Sequence, residues 1–126
     1  MKSISVIFTF ILTTQGALAA CPELAGKYKQ KGNDSSTQLV SESTQNGVKV
    51  YNFGEGSAPI NTDGVAHSLG QGVSAKSTCG DNTITTEIVA PNGEVVRGLI
   101  MKTDSGYTTS SNNPSLMGPD SEWIKQ

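Results

Sequence analysis

Two cysteines, Cys21 and Cys79, are the only ones in this 126-residue chain, and the compartment decides their chemistry. In an oxidising compartment they form a single bridge, closing a loop of about 58 residues for roughly 4 kcal/mol in the chain-entropy account. The one histidine, His67, follows Asp63-Gly64, so that the Asp63 carboxylate can approach the imidazole across a turn. Ser68 or Ser77 would complete a serine triad on paper. Serines are so frequent here that any one would fit, and no residue is read as catalytic. One histidine and two distant cysteines lack the spacing of a zinc site, and a bridge would remove the thiolates. Asp104, Asp120 and Glu122 cluster too loosely to argue for calcium. The segment from Gly70 to Ser77 approaches the phosphate-binding loop pattern but carries Ala75 where glycine must let the backbone close on phosphate, and no helix follows. It reads as a glycine-rich turn entering a strand. The chain is expected to be non-enzymatic, without metal or cofactor.

The residues ahead of Cys21 set the compartment. Met1-Lys2-Ser3 supplies one positive charge, Ile4 to Leu12 is an apolar run, and Ala17-Leu18-Ala19 is a small-residue cleavage signal. Residues 1–20 therefore read as a secretory signal peptide and residues 21–126 as one mature domain. The apolar run is interrupted at Thr13-Thr14-Gln15-Gly16 and is too short for a span, which takes roughly 20 apolar residues. Leu18-Ala19-Ala20-Cys21 resembles the lipobox of bacterial lipoproteins, which implies a diacylglyceryl group on Cys21 and an anchor in the bacterial outer membrane. The two readings of Cys21 exclude each other, since lipidation would leave Cys79 a lone thiol. The bridge is the favoured one, because Pro22 stiffens the next residue and strand structure starts at Gly26, leaving almost no tether. The domain is expected to be periplasmic or secreted, with a membrane as partner only if Cys21 is lipidated.

Charge excludes a further class of partner. Without Lys2 the domain has eight basic and eleven acidic side chains, a net charge of −3. Nucleic acid is not expected, because clustered Lys and Arg must neutralise phosphates there. Lys27, Lys29 and Lys31 alternate along one strand face, opposite Gly26, Tyr28 and Gln30, and read as a solvated outer face. Asn33-Asp34-Ser35 is a formal glycosylation acceptor, relevant only in a host that glycosylates.

The elements carrying these residues are strands. No stretch has apolar residues at helical spacing, whereas turn signals recur at Gly32-Asn33-Asp34, Asn46-Gly47, Asp63-Gly64, Gly70-Gln71-Gly72, Gly80-Asp81-Asn82, Asn92-Gly93 and Asp104-Ser105-Gly106. Short β-branched runs between such turns predict an all-β antiparallel meander of about eight to ten strands, closing into a small barrel or, alternatively, a β-sandwich. The clearest hairpin joins Thr83 to Ala90 with Glu94 to Lys102 through Pro91-Asn92-Gly93. Its second strand has apolar residues on both faces and is expected to be central. A second hairpin pairs Thr37 to Ser43 with Val48 to Phe53.

Cys-Pro-Glu-Leu-Ala-Gly-Lys-Tyr, at 21 to 28, resembles the opening of small lipocalin-like (calycin) barrels, in which a Gly-x-Trp motif starts the first strand and its ring plugs the barrel floor. Gly26 and Tyr28 hold the matching positions, with Tyr in place of Trp, and the family's later motifs are missing. The resemblance implies a barrel with an apolar interior and Tyr28 as the floor aromatic. Trp123, the only tryptophan, is expected to close the core against the first strand rather than to form a binding rim. Two function classes follow. The first is a structural or interaction module of the cell envelope with an envelope protein as partner; the alternative is a carrier of a small hydrophobic ligand. The interior decides between them, and small residues such as Ala66, Ala75, Ala90 and Gly98 would leave room if they point inward.

Overall fold

A computed structural model describes residues 21–54 and 57–126; the signal-peptide reading of residues 1–20 falls outside the described residues. The strands are β1 (Gly26–Gln30), β2 (Asn33–Gln45), β3 (Val48–Phe53), β4 (Ile60–Asn61), β5 (His67–Gly70), β6 (Val73–Gly80), β7 (Thr83–Val89), β8 (Val95–Lys102), β9 (Gly106–Ser111) and β10 (Ser121–Lys125), with one helical turn, α1 (Pro114–Met117). They form one ten-stranded antiparallel sheet in the order β4-β3-β2-β1-β10-β9-β8-β7-β6-β5, curled into a half-barrel. Apart from β1 beside β10, neighbours in the sheet are neighbours in the chain, so this is a meander and the sandwich alternative is not the fold.

Local chemistry sets the hairpins. Asn46 (φ 54°) and Gly47 (φ 78°) both take the left-handed conformation that a two-residue hairpin loop needs, and they fix the β2–β3 register from Gln45↔Val48 to Val40↔Phe53. The β7–β8 hairpin pairs Ile84 with Ile100, Thr86 with Gly98 and Ile88 with Val96, all facing the hollow of the sheet. Strand β8 is interior to the sheet, as expected, but Val95 and Met101 on its convex face are 38% and 41% exposed. Pairing on both edges makes it central, not burial of both faces. Gly106 is demanded by close approach: a Cβ there would lie 1.8 Å from the Trp123 carbonyl oxygen, so only glycine lets β9 and β10 meet.

One end of the half-barrel is packed solid. Leu24, Tyr28, Val40, Tyr51, Ile84 and Tyr107 are buried together. Tyr28 and Tyr107 meet edge to face with ring centroids 4.7 Å apart, a geometry worth about 1 kcal/mol beyond the area buried. Residues 21–25 seal this end. Cys21 is bonded to Cys79 on β6 with Cα atoms 5.0 Å apart, and the Tyr51 and Tyr28 hydroxyls donate to the Pro22 and Leu24 carbonyl oxygens. Strands β4 and β5 stand at the two sheet edges, and the segment between them crosses the seam through Thr62 N–H to Lys49 O (3.2 Å) and Gly64 N–H to Ser77 O (2.9 Å).

Candidate ligand-binding site

Above the packed end the hollow stays open. A cavity of about 510 Å³ occupies it, walled mainly by β6 to β10 together with Phe53 and Ile60, and rimmed at its mouth by Leu69 and Met117. Alternation along each strand produces this lining, since Ala75 and Ser77, Thr86 and Ile88, Gly98 and Ile100 are inward positions two residues apart. The space itself comes from small side chains. Gly98 and Ala75 put little into the hollow, and Met117 of α1 reaches over Gly98, where a Cβ would come within 2.7 Å of its Cε.

Aromatic rings form one side. Trp123 lies nearly parallel to Tyr107 (14°, centroids 6.1 Å), and Phe53 meets Tyr107 edge to face at 5.7 Å. Trp123 thus packs on the core, as expected, and also lines the cavity; the two roles weighed from sequence are held by one ring. Burial pushes the Tyr107 hydroxyl well above its ordinary range, the neighbouring Tyr28 adding to the effect, so it stays neutral and bonds to the Gln38 Oε1 at 3.3 Å. The Gln38 amide in turn donates to the Phe53 carbonyl oxygen.

Hydroxyl groups interrupt the apolar wall, among them Ser77, Thr86 and Thr109. Ser77, 5% exposed, shares a 2.8 Å hydrogen bond with Thr86 across β6 and β7. Thr109 and Ser121 share one of 2.6 Å across β9 and β10, and the Trp123 indole N–H donates to Ser121 at 2.8 Å. Among the described residues the cavity wall carries no Lys, Arg, Asp or Glu. At the mouth His67 lies 2.8 Å from an Asp63 oxygen, the approach expected from their spacing. The Val65 amide, with help from His67, outweighs desolvation and holds the Asp63 carboxyl below its usual range. Ser77 is committed to Thr86 and the Ser68 hydroxyl accepts from the Gly70 amide, so neither serine is bonded to this pair.

The packed end has its own polar knot, which sequence reading missed. Glu42, on an inward position of β2, pairs with Lys49 at 3.0 Å and accepts from the Leu24 and Ala25 amides. Burial pushes its carboxyl up, but the Lys49 bond and the two amides together outweigh it, leaving the group below its ordinary value. The available signal was an acidic residue two positions from the apolar Val40, on the same strand face.

The remaining sequence-level candidates disperse. Tyr28 is buried at the sealed end, and Lys27, Lys29 and Lys31 lie exposed on the opposite face. The register sets Asp104, beyond Gly106, at one end of β9 and Asp120, beside Ser121↔Thr109, towards the other; Glu122 pairs with Lys31 at 3.6 Å. Of the small residues, Ala75 and Gly98 face the cavity, whereas Ala66 is exposed. A half-barrel with one sealed end and one open apolar chamber is the class that fold and site define. Comparison of this chain with protein-family models, curated proteins and solved structures finds no match.

Proposed function

We propose that this protein is an exported, non-enzymatic binder that carries a small hydrophobic ligand in the open half of its barrel. The cavity of about 510 Å³ carries this reading, because it falls within the 300–1,000 Å³ of small-molecule sites and is apolar with a few placed polar groups. Eight- to ten-stranded sheets of this kind are either filled by their own side chains or left able to hold one ligand. An envelope module with a solid interior would be filled throughout; here only the lower half is. That observation puts the carrier ahead of the interaction module. The Cys21–Cys79 bridge supports an oxidising, extracytoplasmic location and the disulfide reading of Cys21 over the lipidated one.

The test uses Nile red, an uncharged dye that brightens in apolar surroundings. It is expected to bind saturably at one site per chain. Ala75→Phe places a ring in the cavity and is expected to abolish that binding while leaving the melting temperature within a few degrees, since half-buried Ala75 has open space before it. Absence of saturable binding, or equal binding by the variant, would overturn the carrier reading.

A further inference from the structure

We infer that the cavity selects an uncharged, ring-containing ligand with one hydroxyl or carbonyl oxygen, held by the Ser77–Thr86 hydroxyl pair, and rejects the anionic form of the same skeleton. This rests on the carrier reading and narrows it to a ligand class. The first argument is the absence, among the described wall residues, of any Lys or Arg to meet an anion; the one imidazole there, His67, is already bonded to Asp63. An ionised group carried into such a chamber loses its hydration without compensation. The second argument is the hydroxyl pair. Each hydroxyl has one hydrogen and two acceptor sites, and the bond between Ser77 and Thr86 uses one hydrogen, leaving the other to turn toward a ligand oxygen. By contrast, of the Thr109–Ser121 pair only Thr109 lines the cavity, and Ser121 also accepts the Trp123 N–H, so that pair presents less to a ligand. The third is the aromatic side, where Phe53 and Trp123, backed by the buried Tyr107, offer ring surface for a flat partner to pack on.

The experiment uses pyrene, 1-pyrenemethanol and 1-pyrenecarboxylate, three probes on one flat skeleton. Trp123 is the only tryptophan and lines the cavity, so quenching of its emission by pyrene reports occupancy directly. The alcohol is expected to bind at least about tenfold more tightly than the carboxylate at neutral pH. In the double variant Ser77→Ala, Thr86→Val the alcohol is expected to weaken about fivefold or more, with pyrene unchanged; removing both partners leaves no buried hydroxyl unpaired, so the fold tolerates it. Carboxylate binding equal to or tighter than the alcohol overturns the ligand class but leaves the carrier standing. An unchanged alcohol affinity in the double variant overturns the role of the hydroxyl pair. Failure of pyrene itself to quench Trp123 overturns both the class and the carrier.

Discussion

Glu42 holds the seal of the half-barrel through one carboxylate that meets an ammonium and two backbone amides. Its side chain is only 13% exposed, so removing the charge leaves the Leu24 and Ala25 amides and Lys49 poorly matched in a place water hardly reaches. Glu42→Gln is expected to cost about 2 kcal/mol of unfolding free energy, measured by urea denaturation. The pH dependence follows from the same contacts. A carboxyl whose pKa in the fold lies below its ordinary 4.5 adds stability that is complete above that value and lost as the pH falls through the lower one. The wild-type protein is therefore expected to lose stability below about pH 4.5 more steeply than Glu42→Gln, and parallel acid profiles would remove Glu42 as the cause.

At the scale of elements, the β9–β10 contact is the least forgiving. Gly106→Ala drives a Cβ against the Trp123 carbonyl, a backbone group that cannot swing aside, and is expected to cost more than about 3 kcal/mol or to prevent folding. Gly47→Ala, with open space around it, is expected to cost only about 1 kcal/mol; similar losses for the two in thermal denaturation would refute the close-approach account. Hairpins were the legible part of the sequence because their information is local. Asn46-Gly47 and the alternation of Ile84, Thr86 and Ile88 need only adjacent residues to be read. The chamber was not legible, because whether Ala75 and Gly98 or Ala66 point inward depends on registers set across the whole sheet. Glu42 was missed for a related reason: its partners at Leu24 and Ala25 lie 18 and 17 residues away. The helical turn α1 carries no periodicity, only Pro114 at its start, yet its Met117 forms part of the chamber's rim.

For the whole molecule, the bridge ties the sealing segment to β6 near the seam between the sheet edges. Reduction is expected to raise the intact mass by two hydrogen atoms and to lower stability by about 4 kcal/mol, a fall in melting temperature on the order of 20 °C. An unchanged melting temperature would mean that the hydrogen bonds of Pro22, Leu24 and Glu42 hold the seal unaided. The sheet order has a kinetic side as well. Every strand pairing but one joins strands consecutive in the chain, while β1 meets β10 across nearly the entire domain, with Gln126 N–H on the Lys27 carbonyl oxygen at 2.8 Å. Loop closure over that span is slower than hairpin formation, so the β1–β10 pairing is expected to form last and to finish the wall. Until then Trp123 has no Gln30 opposite it, and a chain emerging from amino to carboxyl end keeps the chamber incomplete until β10 arrives.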